Sequence, residues 1–136
     1  MTTKNRNTND NESKPDLVIE FHPHDAVKKE LAGLPVKDRD AYIASFALMA
    51  KHKPPALKIK KLDTIDKNVF QMTIKGTEAW RCVYTTEVPG KIVVLHVTQK
   101  TTEGVDRQLK NVVEKRLKSL RDKLKAERKA AKKKTK

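Results

Sequence analysis

The chain has 136 residues, of which 37% are hydrophobic, so it can form one modest core and no second domain of ordinary size. Lys and Arg number 31 against 17 Asp and Glu, which gives a net charge of +14 with neutral histidines. Such an excess attracts polyanions or an acidic protein partner, and charge alone does not choose between these two classes.

The single cysteine, Cys82, excludes an internal disulfide and any metal site built from several cysteines. The first ten residues lack the apolar segment of a signal peptide, and the chain holds no run of about 18 apolar residues that would span a membrane. We therefore expect a soluble, cytoplasmic protein. Residues 1 to 15 are polar and rich in Asn and Thr, which predicts a disordered N-terminal tail.

The next segment is predicted to be a strand followed by two helices. The apolar, β-branched run at residues 16 to 21 predicts the strand. Asp25 is expected to cap a short helix that stops at Gly33, and a second helix is expected over residues 36 to 52, after Pro35 and before Pro54. The second helix carries a broad apolar stripe that must be covered by other elements: Tyr42, Ile43, Phe46, Ala47, Met49 and Ala50.

A change of period after the second helix predicts four strands in an antiparallel meander. The strands are expected at residues 57 to 63, 68 to 76, 79 to 87 and 90 to 98. The Pro89-Gly90 pair supplies the turn before the last of them. That last strand, "IVVLHV", is apolar on both faces, so we expect it to lie in the middle of the sheet.

A final helix is predicted by apolar residues at helical spacing: Val105, Leu109, Val112, Leu117, Leu120 and Leu124. After this stripe no apolar side chain is larger than Ala, and residues 121 to 136 hold nine Lys or Arg and two acids, a net charge of +7. We expect a basic C-terminal extension there, helical at best and frayed. The chain as a whole is predicted to be an α+β domain over residues 16 to 120 with a tail at each end.

Three polar side chains lie where a sheet would normally be apolar. Arg81 lies inside the third strand of the meander, and His96 and Lys100 lie near the end of the fourth. Strict alternation puts His96 on the face of Val94. If the two strands are neighbours and these faces coincide, a guanidinium, an imidazole and an ammonium converge on a polar groove at one edge of the sheet. The adjacent strands carry lysines that are expected to extend this patch as RNA-binding residues: Lys58, Lys60 and Lys75.

These side-chain types suit the cleavage of RNA without a metal ion. Attack of a 2′-hydroxyl on the adjacent phosphate needs a base for the hydroxyl proton, a donor for the leaving oxygen and fixed positive charge beside the phosphate. His, Lys and Arg supply these functions, whereas the carboxylates are too scattered along the chain to indicate a Mg²⁺ site. We therefore expect no metal ion and no cofactor.

The same residues have ordinary structural interpretations. Lysines at strand ends commonly do no more than solvate the surface of a sheet. Arg81 in an apolar strand is also compatible with a buried ion pair to a partner such as Glu87. His96 is equally compatible with a core histidine whose hydrogen bonds are satisfied.

Two further groups of residues favour structural roles. Cys82 lies in a strand beside Trp80 and Tyr84, and aromatic residues at a period of two usually fill the layer between a sheet and a helix. His22 and His24 form a possible metal pair, but the sequence shows no convincing further ligands.

The stretch "FQMTIKGTEAWRCVYTTEVPGKIVVLHVTQKTT" resembles the RelE/ParE superfamily of bacterial toxins, and most closely its phage-derived HigB-like branch. In that branch an aromatic-Arg-x-x-Tyr strand precedes a hydrophobic strand that ends in Leu-His, and a Lys-Thr turn leads into the last helix. The matching residues here are Trp80, Arg81, Tyr84, Leu95, His96, Lys100 and Thr101.

The resemblance implies a microbial-RNase-like sheet and a toxin of a type II toxin-antitoxin system that cleaves mRNA on the ribosome, inhibits translation and arrests growth. It also implies a cognate antitoxin protein as partner. By that analogy Arg81 stabilises the phosphate, and Lys100 and His96 serve in phosphate binding or proton transfer. Thr73 and Gln99 occupy positions that are often basic in the family.

Three functions therefore remain open from the sequence. The first is an mRNA endonuclease that acts on free or ribosome-bound mRNA. The second is a non-catalytic module of the same fold that binds nucleic acid or inhibits another target such as DNA gyrase. The third is an RNA-associated protein that binds through its basic C-terminal extension.

Overall fold

The computed structural model describes residues 14–76, 79–99 and 106–134. Within these ranges the chain forms five strands and three helices, in the order expected for an α+β domain. In chain order the elements are β1 (Val18–Phe21), α1 (His24–Ala32), α2 (Val36–Ala50), β2 (Lys58–Lys61), β3 (Val69–Ile74), β4 (Trp80–Thr85), β5 (Lys91–Gln99) and α3 (Arg107–Lys134).

The five strands form one mixed sheet in the order β1-β5-β4-β3-β2. Strands β2 to β5 form the expected antiparallel meander, and β5 has a neighbour on each side, as its apolar sequence predicted. The pairing of β1 with β5 is parallel, with Val18 opposite Lys91 and Phe21 opposite Val94. Between β4 and β5 the turn places Gly90 at a φ of 77°, in the left-handed region that glycine adopts without strain.

The sheet has a core on each face. On one face α1 and α2 pack with their apolar side chains against the sheet through Val27, Tyr42, Phe46, Cys82, Tyr84 and Val94. On the other face α3 packs through Val83, Val93, Leu95, Leu109, Val113, Leu117 and Leu120. The molecule is therefore a three-layer arrangement, in which α3 is the helix that packs on the face that carries Arg81 and Val83.

A register shift in β5 changes which residues share a face. Val83 lies opposite His96, but the next residue of β4, Tyr84, lies opposite Val94, so Leu95 is an extra residue in β5. As a result His96 does not share a face with Val94, contrary to the strict alternation that the sequence suggested. It lies with Val83 on the α3 face.

The helices differ from the sequence predictions in three details. Pro23 occupies the N-cap of α1, and Asp25 lies in the first turn instead of capping it. In α2 the buried face includes Tyr42 and Phe46, whereas Ile43 is half exposed because the helix packs on the sheet along one side only. In α3 it is Val113, and not Val112, that is fully buried with the leucines.

The basic C-terminal extension is helical and continuous with α3, which runs as far as Lys134. Its helical conformation agrees with the sequence prediction over residues 121–134, and fraying of this segment stays a prediction. Leu120 is the last buried residue of α3, Leu124 is partly buried, and residues 125 to 131 are exposed. Within the described ranges, each helix is too short or too polar to span a lipid bilayer.

Candidate nucleic-acid interface

Strand register brings four of the sequence-predicted site residues onto one face of the sheet. One row across the strands runs from Lys58 through Thr73 and Arg81 to Thr98. The next row runs from Lys60 through Gln71 and Val83 to His96. Side chains in such rows project from the same face, and Val83 identifies it as the face that α3 covers. Arg81, His96, Lys58 and Lys60 therefore share that face.

The two lysines of β2 lie at the open edge of this face. Both Lys58 and Lys60 are exposed, and β2 is an edge strand of the sheet. Between them and Arg81 lie the polar side chains of Gln71 and Thr73, which are joined by a hydrogen bond of 3.1 Å from the Gln71 amide to the Thr73 hydroxyl. The half of the face beyond α3 is thus polar and positively charged.

Arg81 is buried and ion-paired. Its guanidinium lies 3.3 Å from a carboxylate oxygen of Asp106, and the two side chains are 5% and 14% exposed. Asp106 precedes α3, and its other carboxylate oxygen accepts a hydrogen bond of 3.0 Å from the Leu109 amide in the first turn of that helix. The sequence suggested Glu87 as the ion-pair partner, but Glu87 pairs with Arg121.

His96 belongs to a cluster of three charged or titratable side chains that joins α1, β5 and α3. Its Nδ1 atom lies 3.0 Å from Oε1 of Glu30 and 3.2 Å from Nη1 of Arg116. Arg116 and Glu30 form a bidentate pair with N–O distances of 3.0 and 2.8 Å. With a proton on Nδ1, His96 donates to Glu30, and Nε2 is then the ring nitrogen that can exchange a proton.

The pKa of Glu30 reflects this cluster. Burial of the carboxyl opposes its ionisation, but hydrogen bonds from His96, from Arg116 and from the Val97 amide outweigh that effect and lower the pKa to about 2. Glu30 is therefore a carboxylate at all physiological pH values.

Glu30 and Arg116 also complete the hydrogen bonding of β5. Strand β1 pairs with β5 only as far as Val94. Beyond that point the Val97 amide donates to Glu30 at 3.0 Å, and the Leu95 carbonyl accepts from Arg116 at 2.9 Å. Two side chains thus satisfy backbone groups that a longer β1 would otherwise have paired.

The remaining predicted site residues are separate from these clusters or are not described. Lys75 directly follows β3, on the same alternation as Thr73, and is exposed. Lys100 lies outside the described residues, as does Thr101 of the toxin-like motif. The structure therefore gives no geometry for the ammonium that the sequence placed beside His96.

The residues that favoured structural interpretations are accounted for by packing and hydrogen bonding. Cys82 and Tyr84 are buried and Trp80 is partly buried in the core beneath α1 and α2. His22 contacts the Ser119 hydroxyl at 3.1 Å, and His24 contacts Asp25 at 3.1 Å. The described residues contain no group of three or more His, Cys, Asp or Glu side chains that could hold a metal ion.

A third set of contacts, which the sequence did not indicate, fixes the middle of α3. The Arg121 guanidinium donates two hydrogen bonds to Glu87 at 2.9 and 2.7 Å and one to Asp66 at 2.8 Å. Asp66 lies between β2 and β3, and Glu87 lies between β4 and β5. Hydrogen bonds from Arg121 lower the pKa of Asp66 below its usual value.

Sequence reasoning missed Asp106, Glu30 and Arg116. Each lies far from its partner along the chain, 25 residues in the case of Arg81 and Asp106 and 86 in the case of Glu30 and Arg116. A single sequence carries no signal for such pairings. The available signal was the placement of Arg81 and His96 in apolar strands, which requires some polar partner.

Comparison with known proteins identifies one family. A family model described as phage derived protein Gp49-like (DUF891) matches residues 29–118, roughly two thirds of the chain. The matched segment begins one residue before Glu30 and ends two residues after Arg116, and it contains all of α2 and the meander. No curated protein and no solved structure matches the chain.

Proposed function

Because this chain belongs to the Gp49-like phage-derived family, a RelE/HigB-type toxin family whose members are commonly toxins of toxin-antitoxin systems, we propose that it is a toxin that cleaves mRNA on the ribosome without a metal ion. Its immediate effects would be inhibition of translation and arrest of growth. A cognate antitoxin protein would be its controlling partner.

One observation carries this proposal: strand register puts Arg81 and His96 on the same sheet face as the exposed Lys58 and Lys60. A polar, positive half-face beside a helix can hold the sugar-phosphate backbone of a single RNA strand. Lys75 lies directly after β3, two residues beyond Thr73, so it follows the alternation that places Thr73 on this face. It is proposed as a further phosphate contact.

The proposed chemistry is attack of a 2′-oxygen on the neighbouring phosphorus. The P–O bond to the 5′-oxygen breaks, a 2′,3′-cyclic phosphate forms, the 2′-hydroxyl proton passes to a base and the 5′-oxygen receives a proton from an acid. Arg81 is the proposed source of positive charge at the phosphate. His96 through Nε2 and Lys100 are the proposed proton-transfer groups, and Glu30 holds the His96 ring in position.

The ion pair of Arg81 imposes a condition on this chemistry. A phosphate that contacts the guanidinium must share it with Asp106 or replace that carboxylate, because the two are only 3.3 Å apart. Both ligands are anions with paired oxygens, which the guanidinium fork accommodates. Substrate binding is therefore proposed to weaken the Arg81–Asp106 pair.

A second function is favoured by the low exposure of Arg81. With its side chain 5% exposed and paired to Asp106, Arg81 is also compatible with a purely structural role. In that case the lysine-bearing face binds a target without cleaving RNA. The proposal is then a non-catalytic module that binds nucleic acid or inhibits another target such as DNA gyrase.

The test is controlled expression in a bacterial host, with growth and mapped mRNA 5′ ends as readouts. Three variants are compared with wild type. Arg81→Lys keeps a cation beside Asp106 but loses the planar guanidinium fork. The other two are Lys58→Gln/Lys60→Gln and its control Lys28→Gln/Lys29→Gln. The control removes the same two charges from exposed positions on α1.

We expect wild type and the α1 control to arrest growth and to create new mRNA ends, and the other two variants to create few or none. Arrest by wild type without new ends would favour the non-catalytic module. Equal cleavage by all four proteins would remove Arg81, Lys58 and Lys60 from the site. Circular dichroism of each purified protein separates loss of function from loss of fold.

A further inference from the structure

The strongest unexplained feature is the basic surface of the second half of α3. From Lys118 onward, lysines and arginines lie along one side: Lys118, Arg121, Lys125 and Arg128 follow one another at spacings of three or four residues, and Lys129 lies four residues after Lys125. We call this set the basic stripe. Such spacing keeps side chains on one side of a helix and repeats a cation about every 5.4 Å along its axis.

The orientation of the basic stripe follows from two arginines of α3. Arg116 reaches Glu30 at the β1 side of β5, whereas Arg121 reaches Asp66 and Glu87 in the two connections on the opposite side. Lys125 and Arg128 lie four and seven residues after Arg121, so they share its side of the helix. The basic stripe therefore lies on the side of α3 that faces the β2–β3 and β4–β5 connections.

The end of the basic stripe extends beyond the core. Leu124 is the last apolar residue packed against the sheet, and the side chains of Lys125, Arg128 and Lys129 are exposed. The family match ends at residue 118, so nearly all of the basic stripe is additional to the part of the chain that resembles its family. The ion pairs of Arg121 help to hold α3 on the domain, but Lys125, Arg128 and Lys129 are exposed, and their charges are not needed to fill the core.

We propose that the basic stripe binds the sugar-phosphate backbone of double-helical RNA, at a surface separate from the cleavage site. This proposal rests on the proposed function only in its choice of RNA as the ligand. The sequence of α3 contains no aromatic residue that could stack on unpaired bases, which is the usual means of holding single strands. A rigid row of cations instead fits the regular phosphates of a duplex, which proteins recognise by shape and backbone.

The composition of the exposed helix argues against an acidic protein as the partner. Protein interfaces are centred on buried apolar or aromatic side chains, and the helix carries none larger than Ala after Leu124. One partly apolar groove does lie nearby, between Leu124 and the Val88-Pro89 turn, so an acidic polypeptide is included as an outcome of the test.

The test uses the full chain and measures binding to a labelled RNA duplex of two helical turns over a range of salt concentrations. The variant is Lys125→Gln/Arg128→Gln/Lys129→Gln. Its matched control is Lys28→Gln/Lys29→Gln/Lys37→Gln, which removes three exposed charges from α1 and α2 on the other face of the sheet. Gln is a helix former similar to Lys and Arg, so α3 is retained in the variant.

We expect the stripe variant to bind the duplex roughly tenfold more weakly or worse and to lose about 2 to 3 from the slope of log affinity against log salt. The control should change both quantities much less. Lys125→Arg/Lys129→Arg should bind like wild type, because it keeps the charges. Equal weakening in both triple variants would overturn the proposal, since only net charge would then matter.

Two further comparisons complete the test. If poly-glutamate of similar length binds as tightly as the duplex and the stripe variant loses both, the partner is an acidic protein and the RNA proposal is wrong. Lys58→Gln/Lys60→Gln should retain duplex binding even if it abolishes cleavage. Duplex binding without any cleavage by wild type would therefore count against the proposed function, and the proposal that the basic stripe binds duplex RNA would still stand.

Discussion

Arg81 in β4 and Asp106 at the start of α3 form an ion pair of 3.3 Å in which both side chains are largely withdrawn from water. The contact joins the centre of the sheet to the helix that covers it. Asp106 also accepts the Leu109 amide, so one carboxylate both caps α3 and neutralises a buried guanidinium. The proposed phosphate site and the stability of the fold therefore depend on the same pair.

The first prediction separates these two roles with Asp106→Asn. Asn retains an oxygen for the Leu109 amide, so the helix cap is kept while the charge is lost. Because the buried guanidinium loses its carboxylate, we expect the free energy of unfolding to fall by about 3 kcal/mol. Urea denaturation measures this value, and an unchanged midpoint would contradict the stabilising role of the pair.

The RNA affinity of Asp106→Asn is a second measurement, and it is expected to change in the direction opposite to stability. If Arg81 serves a phosphate, removal of the competing carboxylate should raise the affinity for single-stranded RNA by several-fold even though stability falls. If Arg81 is purely structural, affinity should stay unchanged or fall with stability. Fluorescence anisotropy at a temperature where the variant remains folded distinguishes the two results.

The second prediction concerns the decrease in the free energy of unfolding at low pH, which we call the acid limb. Glu30 has a pKa of about 2 in the folded protein, below the ordinary value of 4.5. A depressed carboxyl pKa contributes stability that is complete above pH 4.5 and is lost as pH falls from 4.5 towards 2, an effect of about 3 kcal/mol. Glu30→Gln should therefore reduce stability at neutral pH and flatten its decline in acid.

Thermal denaturation at a series of pH values measures this effect. Glu114→Gln is the matched control, because Glu114 is an exposed carboxylate on α3. The control should leave the acid limb as in wild type. An equally steep acid limb in Glu30→Gln would show that other carboxyls are responsible for it.

The third prediction concerns Cys82. The residue is fully buried, and burial, together with the nearby Glu30 carboxylate, raises the pKa of its thiol far above the ordinary value. The thiolate is the reactive form, so labelling by a thiol reagent should proceed only through unfolding. We expect the labelling rate to be slow and to rise with urea in step with the unfolded fraction. Rapid labelling without urea would show that the sheet opens locally at β4.

The sequence indicated the order of elements, the meander and the central position of β5, because each depends on local alternation and apolar runs. It did not indicate that β1 pairs in parallel with β5, since nothing in four residues selects a partner strand. It also assigned His96 to the face of Val94, because alternation assumes a regular strand and the extra residue Leu95 breaks that regularity.

The candidate site was predictable in the part that depends on regular alternation along the strands. Lys58, Lys60 and Arg81 were expected near one another, and the register places them on one face. Asp106, the partner of Arg81, and Glu30, the partner of His96, are distant from them along the chain, so only folding brings each pair together. Sequence pattern identified which side chains needed partners but not which side chains supplied them.

The last prediction concerns Thr73, which lies between Lys58 and Arg81 in the same row of the sheet. Thr73→Lys adds a cation to the middle of the proposed RNA-binding face. Repulsion from its neighbours should cost less than about 1 kcal/mol of stability. We expect RNA affinity to rise several-fold with a salt slope steeper by about 1, and cleavage to rise with it. Thr64→Lys, at an exposed position beyond the far end of β2, adds the same charge away from the face. If the two variants gain affinity equally, net charge explains the gain and the row through Arg81 is not where RNA binds.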